Sequence, residues 1–244
     1  MSARFEELGW QQTPMGVLSL RRRFDLTVRT DVYEVKLDDE YLMSSLFTVA
    51  ERELARLGLA RTPGPELDVL VGGLGLGYTA WEALQCDRIR SLTVVEYSQS
   101  VIEWHERGLL PDTSALRTDD RVGLRCANFF SVLADGSGFD PAAPGRRYDA
   151  ILLDIDHSPR HLLDGSHGWF YSPDGLRAAS TLMAANATFA MWSDDAPDDE
   201  FCSMLEEVFA DVDARRIWFP NPLTGGRSGA TVYLASQPGA TPPS

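Results

Sequence analysis

The sequence predicts an α/β protein with a doubly wound, mostly parallel, seven-stranded sheet and a short N-terminal β extension. Three observations predict it. From Leu67 onward, short apolar runs rich in β-branched residues alternate with stretches of helical spacing. The first of these runs enters the glycine-rich turn VGGLGLGY, and the second ends on an acidic residue, Glu96. Alternating strands and helices imply parallel pairing, with helices covering both faces of the sheet.

Element by element, VLSLRRR (Val17 to Arg23), LTVRT (Leu26 to Thr30) and VYEVKL (Val32 to Leu37) read as short strands joined by turns. Glu40 to Leu57 has helical spacing and is expected to end at Gly58, before the TPGP turn. LDVLVGG is the first strand of the main sheet, followed by a helix from Tyr78 to Leu84. SLTVVE (Ser91 to Glu96) precedes a helix from Gln99 to about Arg107, and RVGLRC (Arg121 to Cys126) makes the next strand. YDAILLD (Tyr148 to Asp154) is followed by a long segment, His157 to Ser172, where active-site loops of this architecture lie. A helix over Asp174 to Ala185, the strand ATFAMW (Ala187 to Trp192) and a helix over Asp198 to Ala210 come next. DARRIWF and ATVYLA then form a closing antiparallel pair. The expected organisation is residues 1–60 as N-terminal strands and helix packed on the core, 61–236 as a Rossmann-like ligand-binding domain, and 237–244 as a disordered tail.

Composition limits the function. With 44% hydrophobic and 24% charged residues, the chain can bury a substantial core. A formal net charge of -14 argues against a nucleic-acid partner, which would need clustered Lys and Arg. It suits solubility, or a cationic small molecule such as an amine. Cys86, Cys126 and Cys202 form no CxxC pair, so neither a zinc site nor a disulfide framework is expected. The N-terminus lacks the apolar core of a secretory signal, and no apolar run approaches the ~20 residues of a membrane span. The default expectation is a cytoplasmic protein without a membrane partner.

Parallel sheets bind ligands at the carboxyl ends of their strands, where strand order reverses. The glycines Gly72, Gly73, Gly75 and Gly77 let the backbone approach a ligand closely. Their G-x-G-x-G spacing differs from the G-x-G-x-x-G of dinucleotide binders. Glu96, nineteen residues after Gly77, stands where a carboxylate can accept hydrogen bonds from both ribose hydroxyls. Together these features indicate a nucleoside site. Asn128 and Phe129 follow the third strand, either reading and packing on the base or serving as a helix N-cap and a core residue. Asp154 ends the fourth strand, with Asp156 and His157 beyond it as candidate bases. Tyr171, Trp192 and Asp194 are candidates to line an acceptor pocket. His157 and His161 have the i, i+4 spacing of a metal pair, with Asp156 and His167 nearby, but Pro159 interrupts the helix such a pair would need, and no metal is expected.

The stretches GGLGLGYTAWEAL, VVEYSQSVIEWH, YDAILLDIDHSP, FYSPDGL and FAMWS resemble the spermidine synthase-like group of class I S-adenosylmethionine-dependent transferases. The resemblance implies the class I methyltransferase Rossmann-like fold, S-adenosylmethionine or its decarboxylated form as cofactor, Tyr97 as a further cofactor contact, and a homodimer. The motifs also depart from that group. Polyamine aminopropyltransferases carry GGGDGG, whose aspartate holds the amino group of the decarboxylated cofactor, and Gly75 takes that place here. Their D-E-F-x-Y-H-E segment is matched by Asp39-Glu40-Tyr41-Leu42-Met43-Ser44-Ser45, so Tyr-His-Glu has become Met-Ser-Ser. Their D-S-[ST]-D-P loop appears as Asp154-Ile155-Asp156-His157-Ser158-Pro159, and their Gly-Asp as Ala127-Asn128. Each change removes charge or hydrogen bonding that aminopropyl transfer to a cationic amine would use.

The expected function is therefore transfer to a small-molecule acceptor, an amine being one candidate, with methyl transfer from S-adenosylmethionine favoured over aminopropyl transfer. A non-catalytic relative that retains the fold is a further alternative.

Overall fold

In the computed structural model, which describes residues 5–13 and 16–236, the apolar strand runs sit side by side in one seven-stranded sheet. The strands of this sheet are β5 (Leu67–Gly72), β6 (Ile89–Glu96), β7 (Val122–Cys126), β8 (Tyr148–Leu153), β9 (Met183–Ser193), β10 (Asp211–Asn221) and β11 (Gly226–Ser236). Their order is β10-β11-β9-β8-β5-β6-β7. Strands β5 to β9 pair in parallel, while β11 pairs antiparallel with both β9 and β10. Strand order reverses at β5, so a crevice opens between the carboxyl ends of β5 and β8.

Side-chain alternation along the central strands explains why both faces are covered. Val69, Val71, Leu92, Val94 and Leu152 point to one core, shared with helices α1 (Val49–Arg61), α2 (Tyr78–Leu84) and α3 (Gln99–Glu106). Leu70, Val95, Ile151, Leu153 and Phe189 point to the other, shared with α4 (Phe129–Asp135), α5 (Pro173–Thr181) and α6 (Asp199–Glu206). A strand buried on both sides must be apolar at every position. The run Leu67–Gly72, buried throughout, has that pattern apart from Asp68, whose carboxylate is paired with Arg90 and Arg146.

A second, antiparallel sheet precedes this one, made of β1 (Phe5–Thr13), β2 (Gly16–Asp25), β3 (Thr30–Leu37) and β4 (Glu40–Ser44) in sequential order. It leans on α3, where Gly9 admits the Trp104 indole: a Cβ there would lie 2.5 Å from Nε1. Strand β1 had no signal in the sequence because it is a largely exposed edge strand with little apolar alternation.

Two expectations from the N-terminal third are corrected. Leu26 to Thr30 is not a strand. Asp25 Oδ1 accepts from the Thr27 and Val28 amides at 2.8 and 3.2 Å, and this side-chain-capped turn joins β2 to β3. Glu40 to Leu57 is not one helix either. Its first residues form β4, and α1 starts at Val49 and continues through Gly58 to Arg61. Gly58 does not stop the helix because its role is space: an added Cβ would lie 2.6 Å from Leu152 Cδ2 and 3.2 Å from Ala190 Cβ. Helix α4 follows the N-cap alternative at Asn128, whose side chain accepts from the Ser131 amide. The expected tail, residues 237–244, lies outside the described residues. Among the described residues, no helix is long and apolar enough to cross a membrane.

The close approach of α1 to the sheet yields a prediction. Gly58→Val should destabilise the fold by about 1–3 kcal/mol through overpacking, despite the better helix propensity of valine. A lowered urea midpoint at unchanged slope would show it; an unchanged midpoint would mean that α1 can retreat from Leu152.

Candidate functional site

The turn after β5 is held in place from every side. The Gly73 amide donates to the Val95 carbonyl at 2.9 Å, and the Asp154 amide to the Gly72 carbonyl at 2.8 Å. Gly73 has φ 93°, and a side chain there would run into the Asp154 carbonyl, so both conformation and space demand glycine. Behind the turn, buried His105 places Nε2 2.9 Å from the Gly75 carbonyl, and Thr113 Oγ1 donates to the Leu76 carbonyl at 3.0 Å. Burial holds the His105 pKa down, opposed by that hydrogen bond, so the ring stays neutral and donates.

In front of the turn lies a cavity of about 730 Å³. Gly73, Gly75, Gly77, Glu96, Tyr97, Asn128, Phe129, Asp154, His157 and Trp192 all border it; Gly72 lies just behind, packed on Leu153 and Phe129. The N-terminal sheet supplies the facing wall, including Gln11, Leu37 and Met43.

Glu96 is fixed by backbone. One carboxylate oxygen accepts from the Leu74 and Gly75 amides at 3.0 and 3.4 Å, the other from the Ser98 amide at 2.8 Å. Burial raises its pKa, and these amides work in the opposite direction. Asn128 caps α4, with Oδ1 accepting from the Ser131 amide at 2.9 Å, and also borders the cavity. Phe129 is buried and stacks on Phe139 at 4.9 Å between ring centroids. Cap and cavity wall are thus compatible roles for one segment.

At the opposite end the structure assembles a pair of carboxylates. Asp154 Oδ2 accepts from Thr79 Oγ1 at 2.6 Å, and the same hydroxyl lies 3.3 Å from the Glu51 carbonyl. Glu51 belongs to the first turn of α1. A helix leading into β5 runs back along the sheet, which puts its first turn at the carboxyl edge beside Asp154. Burial, and then repulsion by Asp154, push the Glu51 pKa up to about 8; burial raises Asp154 to about 6, against the Thr79 hydrogen bond. The neighbouring Arg52 offers little compensation, since it lies over the Tyr78 and Trp81 rings and pairs with Glu82. The sequence motifs suggested that a cationic acceptor would meet no paired carboxylates. Glu51 changes that, and it was missed because the expected helix placed it mid-helix rather than at the first turn.

Other candidate residues are placed elsewhere. Asp156 does not face the cavity. It is fully enclosed, accepting from the Leu163 amide at 2.7 Å and the Tyr171 hydroxyl at 2.9 Å, with His167 Nδ1 also at 2.9 Å. Tyr171 is likewise buried and does not border the cavity. These two residues pin the loop after β8, because the chain leaving the strand turns Asp154, Ile155 and His157 towards the cavity and Asp156 away from it. His161 is exposed and bonded to Asp195, while His167 is turned to Asp156, so the histidines are not brought together. Among the described residues, no group of three or more His, Cys, Asp or Glu side chains is arranged to hold a metal ion.

Asp194 donates its amide to the His157 carbonyl at 2.7 Å and borders a side compartment of about 190 Å³. Phe47, Phe219, Asn221 and Ser228 complete its walls, and Glu51 and Trp192 border both spaces.

The raised carboxyl pKa values make a testable statement about stability. A folded-state pKa above the unfolded value adds a penalty that grows as pH rises from about 4 to 8 and is absent below both values. Besides Asp154, the groups acting on Glu51 are Arg52 and Asp194. Glu51→Gln should therefore raise Tm at pH 8.5 by at least about 3 °C and have a much smaller effect at pH 5, read by thermal unfolding. Equal shifts at both pH values would contradict the assignment.

No family model matches the chain. Putrescine N-methyltransferase 2 of Nicotiana tabacum is 34% identical over 101 residues, covering 41% of this chain and 26% of that protein. Putrescine N-methyltransferase 2 of Nicotiana attenuata is also 34% identical over 101 residues, covering 41% and 25%. The match thus spans about a quarter of the length of these curated relatives. In structure, spermidine synthase from Thermotoga maritima superposes with a TM-score of 0.71 at 18% identity, covering 95% of this chain and 72% of that one. A spermidine synthase in complex with the transition-state analogue AdoDATO gives 0.70 at 19%, with the same coverage. The chain therefore has the spermidine synthase fold, and its likeness to the spermidine synthase-like group of class I S-adenosylmethionine-dependent transferases is visible in both sequence and structure.

Proposed function

We propose that this chain is an S-adenosylmethionine-dependent methyltransferase acting on a small amine. The observation that carries the reading is at Gly75. S-adenosylmethionine differs from its decarboxylated form by a carboxylate on the amino-acid tail. An aspartate at this turn attracts the amino group of a decarboxylated tail and repels a tail that keeps its carboxylate. Here the residue has no side chain, and a Cβ on it would lie 2.6 Å from Met43 Sδ. The Met43 thioether packs against this turn, and no negative charge stands at position 75.

In this reading the backbone of Gly73, Gly75 and Gly77 cradles the tail and ribose, with Gly72 supporting the turn from behind. Glu96 accepts from the ribose hydroxyls, and Tyr97, Asn128 and Phe129 contact the base. The cofactor supplies an electrophilic methyl group on sulfur. Asp154, at the crevice between β5 and β8, takes a proton from the acceptor ammonium, freeing the nitrogen lone pair. The lone pair then attacks the methyl carbon in line as the carbon–sulfur bond breaks, leaving S-adenosylhomocysteine and a methylated ammonium. Positioning supplies most of the rate advantage for such a displacement. His157 and Trp192 border the acceptor end. The named relatives, putrescine N-methyltransferases, support an amine acceptor and methyl transfer.

Aminopropyl transfer is the second reading, favoured by the carboxylate pair Glu51 and Asp154, which would serve an attacking amine equally well. The product decides between them. Incubation with putrescine and either cofactor form should release S-adenosylhomocysteine from S-adenosylmethionine. Methylthioadenosine released from the decarboxylated form alone would overturn the proposal. Glu96→Ala should weaken S-adenosylmethionine binding by at least about tenfold in calorimetry, the loss expected for removing a charged hydrogen-bond acceptor. An unchanged affinity would move the nucleoside elsewhere.

A further inference from the structure

At the junction of the main cavity and the side compartment lies a carboxylate without an ion-pair partner, facing an indole. The half-buried Glu51 side chain borders both spaces and makes no ion pair within 4.0 Å among the described residues. The nearest cation in sequence, Arg52, is drawn off by Tyr78, Trp81 and Glu82. Across the junction, Trp192 has a buried Nε1–H with no acceptor among the described residues.

The side compartment beyond them has a consistent chemistry. Phe47 and Phe219 lie 6.3 Å apart between ring centroids, and with Trp192 they form aromatic walls. Asp194 lies at its edge, and Asn221 Nδ2 donates to Ser228 Oγ at 2.9 Å on the far side. Aromatic faces and a carboxylate without a cation together favour an organic cation. At about 190 Å³ the compartment suits a short aliphatic chain rather than a second nucleoside.

We propose that Glu51 is the acceptor-binding carboxylate of this site: with Asp154 it seats the reacting ammonium of a short primary amine, whose remaining atoms extend past Trp192 into the compartment walled by Phe47 and Phe219. This inference rests on the methyl-transfer reading and adds a residue and a subsite to it. The proton lost from the ammonium before attack is taken up by the Glu51–Asp154 pair. It restores the carboxylate that the Met43-Ser44-Ser45 segment lacks, from the helix that follows instead of from that segment.

The test is calorimetric and needs no turnover. Protein saturated with S-adenosylhomocysteine is titrated with putrescine, n-butylamine and 1,3-diaminopropane. Wild type should bind at least one of these, Glu51→Gln should lose about tenfold or more of that affinity, and Glu51→Asp should recover part of it. All three proteins should bind S-adenosylhomocysteine within about twofold of one another, because Glu51 lies away from Glu96. Glu53→Gln, on the same helix and paired with Arg56, should change neither affinity. Should Glu51→Gln not fold, Ser228→Phe fills the compartment from the opposite side, and it should abolish amine binding while keeping the nucleoside. The proposal is overturned if Glu51→Gln binds the amines as wild type does, or if wild type binds the nucleoside and none of the amines. Failure of the methyl-transfer reading shows separately, as methylthioadenosine in place of S-adenosylhomocysteine in the turnover assay.

Discussion

The close backbone contact between the ends of β5 and β8 is the constraint on which the rest of the site depends. The Asp154 amide bonds the Gly72 carbonyl, and the Asp154 carbonyl occupies the space where a side chain on Gly73 would be. With these two strand ends locked together, the glycine turn projects on one side and the Asp154 carboxylate on the other. The Glu96 and Asp154 carboxylates are then set at a fixed separation by the parallel register of β5, β6 and β8. A side chain on Gly73 would break this contact.

Around that lock, buried acids are handled in two ways. Asp156 is enclosed and saturated by an amide, an imidazole and a phenol, whereas Glu96 is held by three backbone amides at the cavity wall. Such acids organise structure: one fixes the turn, the other fixes the loop after β8. Asp154 and Glu51 are poorly supplied with donors, and both are raised in pKa by burial. Such a pair lowers the stability of the folded protein as pH rises through its raised pKa values.

The departures from the polyamine synthase motifs have a coherent physical consequence. Loss of an aspartate at Gly75 and of a tyrosine at Met43 are separate events in sequence, 32 residues apart. In space they meet, because the Met43 sulfur packs against the turn at Gly75.

The sequence by itself determined the layered α/β architecture, the glycine turn and the acidic strand end at Glu96. All of these follow from short-range pattern: buried parallel strands must be apolar throughout, and a turn that touches a neighbouring strand must be glycine. It also carried the likeness to spermidine synthases. What it could not determine was set by contacts between residues distant in the chain. Gly58 reads as a helix stop until Leu152 is seen against it. Asp156 and Asp154 look equivalent until one is turned into the loop and the other into the crevice. Glu51 has no motif at all, and becomes a site residue only because the helix bearing it runs antiparallel to β5 and ends its first turn beside Asp154. Pattern along the chain specifies which faces are buried, whereas the pairing of charges across the crevice depends on where each element's end comes to rest.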